Sequence, residues 1–268
     1  MITCSTIGYN GRLANQMFQF ASTVGIARSL GYDVKFPAEN FVSGDPHDFN
    51  GGKLRECFDI PGEYFLPRGS ISSKIQYNYN ENGFSFNEDT KILPDNVNLN
   101  GYFQSEKYFK DSEKEIRLIF NFRNDVLLES SREIKIEDKS TCVHVRRGDY
   151  LKSPDHHPFL GAEYYLNAMD EIGDSIFYVF SDDIDWCVKN LKFNNKELVF
   201  LDIKNPYVSL NLMSKCTNHI IANSSLSWWA AWLGKVEGQK VISPLNWFGP
   251  LLSHNDTKDL YCDSWNKI

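Results

Sequence analysis

Residues 142–150 read CVHVRRGDY, an apolar, β-branched run that breaks into two arginines and a glycine. The run over 141–145 predicts a short buried strand, with the arginines at its carboxyl end. Four similar runs follow at 176–180, 198–202, 219–222 and 240–243, alternating with helix-like segments at 161–172, 183–191, 206–216 and 225–233. Strands that alternate with helices predict a doubly wound parallel sheet with helices on its faces, an α/β domain.

The first half is less regular. A strand at 2–7, a glycine-containing loop at 8–14, a helix over 15–30 closed by Gly31 and a strand at 32–36 make a βαβ start. From 37 to 96, stretches such as PHDFNGGKL (46–54) and QYNYNENGFSFN (76–87) are rich in Gly, Asn, Asp and aromatic residues and predict irregular structure. A helix over 106–128 follows VNLNGYF, and the charged run SSREIKIEDKS (130–140) reads as a linker. The expected domains are therefore 1–137 and 138–268.

At 268 residues, 42% hydrophobic, the chain can bury a substantial core. A net charge of −7 argues against a nucleic-acid binder, so any anionic ligand must meet a local basic cluster. Six scattered cysteines without a CxxC pair fit a reduced, cytoplasmic protein, and no leader or membrane span is apparent.

Ligands of open parallel sheets bind beyond the carboxyl ends of the strands. HVRRGDY follows the first strand of the second half, SDDID (181–185) the second and ANSSLSWW (222–229) the fourth. Guanidinium forks match phosphate oxygens, so Arg146 and Arg147 could hold a diphosphate; a salt bridge with Asp149 is the plainer reading. Strand alternation puts His144 and Arg146 on one face and Arg147 on the other. Asn223, Ser224 and Ser225 open a helix, which suits either phosphate binding or simple capping. Asp182, Asp183 and Asp185 could share a cation, but Ser181 capping the next helix explains the run as well, with Asp182 free to accept from a nucleobase. Trp228 and Trp232 share a helical face and read as packing rather than a sugar platform. Between strand and helix near the N-terminus, GRLANQ (11–16) is neither GxGxxG nor a P-loop, GxSxG is absent, and His156–Pro158 reads as a loop.

Taken together, GRLANQMFQFA, HVRRGDY, FSDD and NHIIANSSLSWWAAWLG, in that order along nearly the whole chain, resemble the α-1,2-fucosyltransferase family (glycosyltransferase family 11 type). The resemblance implies a GT-B fold of two Rossmann-like domains, the first on the acceptor side and the second binding GDP-L-fucose. It implies inverting transfer, without a metal, to the 2-OH of a terminal galactose. His144 would approach guanine or ribose, Arg146 the β-phosphate, Asp182 the base, and Asn223, Ser224 and Ser225 the base or phosphate. Arg147 belongs to the same donor set, and Arg12 and Asn15 of GRLANQ would reach the diphosphate. Asp149, Glu163 and a carboxylate of the first domain compete as general base, with Asp149 preferred. Ala14 stands where many relatives carry glycine. Absent membrane anchor and disulfides fit a bacterial cytoplasmic enzyme, touching a membrane at most through a lipid-linked acceptor. A fucosyltransferase of another linkage and a non-catalytic carbohydrate-binding protein are the alternatives.

Overall fold

The computed structural model describes residues 1–9, 11–41, 53–192 and 196–268; residues 46–52 of the PHDFNGGKL stretch lie outside them. The chain divides into two compact units, 1–123 with 256–262 and 124–255 with 263–268.

The first unit contains β1 (Ile2–Thr3), α1 (Leu13–Leu30), β2 (Phe36–Pro37), α2 (Leu54–Cys57), β3 (Phe65–Leu66), α3 (Arg68–Ser72), β4 (Tyr77–Asn80), β5 (Val97–Asn100) and α4 (Glu113–Ile119). Its main sheet is parallel in the order β1-β5-β4, and β2 pairs with β3 separately. Helix α1 is buried along most of its length and ends, as the sequence predicts, at Gly31, whose φ of 72° suits glycine. Gly25 within α1 lets the backbone of Tyr108 and Phe109 approach: a Cβ there would lie 2.2 Å from the Tyr108 carbonyl oxygen. Around α1, Phe20 stacks on Phe36 at 4.2 Å and tilts against Phe120.

Strand β4 falls where irregular structure was expected, and β5 lies just beyond that stretch. Their sequences, YNYN and VNLN, alternate asparagine with apolar residues, and in register the asparagines form one polar face. Asn98 Nδ2 donates to Asn78 Oδ1 (2.8 Å) and Asn100 Oδ1 (3.0 Å), and Asn100 Nδ2 to Asn80 Oδ1 (3.1 Å). These bonds offset the poor strand propensity of asparagine. The returning segment 256–262 is tied in through Asp259, which accepts from the Phe86 N–H and pairs with Lys107, while its carbonyl accepts from Ser105 Oγ.

The second unit contains α5 (Asn124–Glu133), β6 (Thr141–Val145), α6 (Ala162–Ile172), β7 (Ile176–Ser181), α7 (Ile184–Asn190), β8 (Glu197–Leu201), α8 (Pro206–Ser214), β9 (Asn218–Ile220), α9 (Ser225–Leu233), β10 (Val241–Ser243) and β11 (Asn266–Lys267). All five predicted strands are present, and β11 adds a sixth, giving a wholly parallel sheet in the order β11-β10-β9-β6-β7-β8. Val143, Val145, Phe177, Val179 and Ile220 join Tyr165, Ala168 and Met169 of α6 in one core. Each fully buried large apolar side chain contributes roughly 1.5–3 kcal/mol relative to exposure. Trp228, Trp229 and Trp232 are buried and packed ring on ring, in line with the packing role expected for Trp228 and Trp232.

The division falls after Arg123 rather than near residue 137. The expected helix over 106–128 is broken at Asn121–Arg123, where Phe122 bridges Phe58 and the Arg123 N–H donates to the Cys57 carbonyl. Beyond that break, α5 packs on α8 and so joins the second unit.

Candidate donor site at the carboxyl edge of the second sheet

From β6 the chain runs outward to β7 and β8, then returns to the other side of β6 for β9 and continues to β10 and β11. Connections leave in opposite directions at β6 and β9, which makes this the topological switch point of the sheet. The three polar clusters of the sequence follow β9, β6 and β7, three neighbouring strands.

Register fixes the centre of the site. Val145 pairs with Ser181, which sets the RRG turn beside Asp182. Asp182 Oδ1 accepts from the Arg147 backbone N–H (2.9 Å), and its Oδ2 lies 2.8 Å from Arg146 Nη1. Gly148 leaves room for this arrangement, since a Cβ there would lie 2.6 Å from Asp182 Oδ2 and push that carboxylate aside. Arg147, Gly148 and Asp149 thus belong to a strand-end turn.

Arg146 is held on its other side by Asp149, with Nη2 2.6 Å from Oδ1, and its guanidinium lies 5.6 Å from the centre of the Tyr150 ring. The two residues expected to do chemistry are therefore bound to each other. Arg147 takes the opposite side, as alternation predicts. Its Nε donates to Asp183 Oδ2 (3.0 Å) and its guanidinium lies 4.0 Å over the Trp186 ring, so it braces the turn. Asp182 is likewise engaged as a brace, through both oxygens.

His144 is buried at the end of β6, and its Nδ1 has no hydrogen-bond partner. Burial, helped by the Arg146 charge, lowers its pKa to about 4, so it is neutral at ordinary pH. The helix-capping role expected for Ser181 falls instead to Asp183, whose Oδ1 accepts from the Trp186 N–H; Ser181 Oγ accepts from the Asp183 N–H. Among the described residues no group of three or more His, Cys, Asp or Glu is arranged to hold a metal ion.

Beyond β9, Asn223 donates through Nδ2 to the carbonyls of Pro158 and Trp247, joining two loops, and its buried Oδ1 has no partner. Ser224 is the N-cap of α9 without a side-chain cap bond, and Ser225 begins the helix. The first backbone N–H groups of α9 have no carbonyl partner within the helix and carry its positive dipole end. Glu163, the other base candidate of this unit, is exposed in the first turn of α6. Arg12 and Asn15 belong to the first unit; Arg12 precedes α1, and Asn15 Oδ1 accepts from Gln104 Nε2 (2.9 Å).

Two residues of the site were not singled out from sequence. Tyr150 donates to the Asn223 carbonyl (2.8 Å) and stacks at 4.9 Å on His157, which in turn contacts Phe248. The aromatic residue after RRGD was the available signal for Tyr150; nothing local marks His157.

The site joins a guanidinium, a neutral imidazole, a helix N-terminus and aromatic rings at a switch point, a set suited to a nucleoside diphosphate. A family model described as Glycosyl transferase family 11 matches residues 1–268. The chain belongs to glycosyl transferase family 11. This family-11 glycosyltransferase is 34% identical over 299 residues to the O-antigen biosynthesis glycosyltransferase WbnK of Escherichia coli, covering 96% of this chain and 97% of that one. It is 29% identical to an alpha-1,2-colitosyltransferase of Escherichia coli (89% and 90% covered) and 27% identical to galactoside alpha-(1,2)-fucosyltransferase 2 of Pongo pygmaeus (85% and 68%). Among solved structures it resembles fucosyltransferase NodZ from Bradyrhizobium, with a TM-score of 0.51 at 12% identity (85% and 91% covered). POFUT1 in complex with GDP gives 0.50 at 14% (90% and 96%). At such identities the likeness is one of fold, an α/β fold with parallel sheets.

Proposed function

We propose that this family-11 glycosyltransferase moves L-fucose from GDP-L-fucose to the 2-OH of a terminal galactose in a glycan or glycan precursor, with inversion and without a metal. The observation that carries the reading is Arg146, held at the carboxyl end of β6 beside the switch point by Asp182. The relatives named for galactoside α-1,2-fucosyl transfer and O-antigen synthesis support the choice of sugar, linkage and pathway.

In this reaction the bond between fucose C1 and the β-phosphate oxygen breaks, leaving its electron pair on GDP. The acceptor hydroxyl oxygen bonds to C1 from the opposite face and gives up its proton. Arg146 and the N–H groups of α9 meet the charge as it develops on phosphate, which lowers the barrier more than it tightens the ground state. His144, neutral, offers ring hydrogen bonding to ribose or base, and Asn223 Oδ1 accepts from a donor hydroxyl or amine. Arg147 and Asp182 act as braces. Phosphate taking over Arg146 frees Asp149 to accept the acceptor proton. The family resemblance also suggests a diphosphate role for Arg12 and Asn15 of the first unit.

A second donor follows from the colitosyltransferase relative. Colitose is L-fucose without its 3-hydroxyl, and a site that hydrogen-bonds that hydroxyl rejects the deoxy sugar by orders of magnitude. The test is GDP-L-fucose with a panel of galactosides, following GDP release and product linkage by NMR. Expected are α-1,2 linkage, activity unchanged by EDTA, and loss of most turnover in Arg146→Ala. Another linkage, preference for the colitosyl donor, or EDTA inactivation reversed by Mn²⁺ would each overturn the corresponding part.

A further inference from the structure

The loop that follows the Arg146 turn is tied down from several sides within the second unit. The Ser153 carbonyl accepts from the N–H groups of His156 and His157 (both 3.1 Å), the His156 carbonyl from the Gly249 N–H (2.8 Å) and the Asp155 carbonyl from the Leu251 N–H (3.0 Å). Asn223 Nδ2 holds the Pro158 carbonyl (2.9 Å). Gly249 permits this approach, because a Cβ there would lie 2.4 Å from the Asp155 carbonyl oxygen. Backbone bonds before and after His157 thus set where its ring sits. That ring lies nearly parallel to Tyr150, at 4.9 Å and 19°, and 5.8 Å from the ring of Phe248.

A phenyl ring would fill this aromatic slot at least as well. An imidazole leaves Nδ1 buried without a hydrogen-bond partner among the described residues, and a buried polar atom left unpaired costs free energy. Packing alone therefore does not account for a histidine here. Its charged surroundings do: Asp149 directly precedes Tyr150 in the chain, and the Arg146 guanidinium lies 5.6 Å from the Tyr150 ring centre. Burial holds the imidazole pKa below its usual 6.5; the Asp149 carboxylate opposes that, and the charges of His156 and Arg146 add to it. The Tyr150 hydroxyl is engaged by the Asn223 carbonyl. Segments 221–229 and 244–252, which meet the loop through Asn223, Phe248, Gly249 and Leu251, carry no titratable side chain. His157 is thus neutral at neutral pH and able to take a proton. Phosphate on Arg146 cancels one of the charges that oppose protonation, so the ring becomes a stronger base once donor is bound.

We propose that His157 is a positioning residue that acts through Asp149, receiving the acceptor proton that Asp149 removes. The acceptor hydroxyl oxygen bonds to fucose C1 while the bond from C1 to the β-phosphate oxygen breaks with its electron pair on GDP. The hydroxyl proton passes to the Asp149 carboxylate, from there to a ring nitrogen of His157, and to solvent once product has left. The inference rests on the proposed fucosyl transfer with Asp149 as base.

Two substitutions test it in GDP-L-fucose transfer to a galactoside: His157→Phe keeps the ring stack and removes the proton carrier, and His157→Ala opens the slot. In His157→Phe, kcat should fall roughly 10²-fold while GDP affinity by calorimetry stays within about twofold. Wild-type kcat should drop on the acid side of its pH profile as the imidazole protonates, and His157→Phe should shift that limb to lower pH. Added imidazole should restore part of the turnover of His157→Ala. The double variant Asp149→Asn with His157→Phe should be about as slow as Asp149→Asn alone, because losses do not add when two groups pass one proton in series. Circular dichroism checks folding of each variant. His157→Phe with wild-type turnover and pH profile, or fully additive losses in the double variant, overturns the inference and leaves the proposed transfer standing. A wild type that moves no fucose to any galactoside overturns the proposed function and this inference with it.

Discussion

Replacing Asp149 with asparagine should tighten GDP binding while lowering turnover. In the ligand-free protein the Asp149 carboxylate holds Arg146 Nη2 at 2.6 Å, so a phosphate must displace it to reach the guanidinium. Asp149 is about half exposed, at 47% of its side chain, which puts the pair in the class worth roughly 0–1 kcal/mol after screening. Since about 1.4 kcal/mol corresponds to a tenfold change, removing the competitor should lower the GDP Kd by about two- to fivefold at low salt. The gain should shrink at high salt, as the screening length falls from about 10 Å at 0.1 M to about 3 Å at 1 M. Asn cannot take a proton, so turnover should drop by roughly 10²–10⁴. Titration calorimetry at two salt concentrations, with single-turnover fucosyl transfer, measures both effects. Weaker GDP binding by a folded Asp149→Asn protein would refute the reasoning, because Asp149 would then support Arg146 rather than compete for it.

Arg147→Ala removes the bond to Asp183 and the stacking on Trp186, and should cost about 2–4 kcal/mol of stability while changing GDP affinity less than about threefold. Thermal unfolding and calorimetry separate the two; an affinity loss equal to that of Arg146→Ala would put Arg147 on the ligand. Gly25→Ala gains about 1 kcal/mol of helix propensity but drives a Cβ to 2.2 Å from the Tyr108 carbonyl oxygen, so denaturant unfolding should show a net loss of roughly 2 kcal/mol or more. His144 and His219 are buried neutral, with burial lowering their pKa values to about 4 and about 3. The unfolded chain therefore takes up protons first, and stability should fall as pH drops below about 6.5, the His144 part levelling off near 4 and the His219 part near 3. Urea midpoints across that range check it, and His219→Gln should flatten the slope.

The second unit was legible because β6, β7, β9 and β10 are buried along most of their length and even the half-buried edge strand β8 is apolar after Glu197, so each is a short apolar run that composition alone marks. Strand β11 carries no such mark, being two exposed polar residues that merely pair with β10. In β4 and β5 the period-two signal was present in YNYN and VNLN, but asparagine is a turn former. Only the ladder across the two strands shows why it stands in a sheet here. The helix over 106–128 was misread because nothing in the sequence reveals that Phe122 pairs with Phe58. At the site, residue types and their gathering at one sheet edge followed from strand ends. The hold of Asp182 on the RRG turn depends on the register Val145 to Ser181, and the stack of Tyr150 on His157 on a loop, so neither could be read from spacing.

The return of residues 256–262 to the first unit, before 263–268 supply β11 to the second, has a bearing on engineering. A fragment cut at any single point near the middle of the chain lacks the Asp259 plug that Lys107, Ser105 and Phe86 grip. Swapping halves between relatives must therefore graft the tail along with the N-terminal half, as a two-piece insert. A chimera made with one crossover would carry mismatched partners at Asp259.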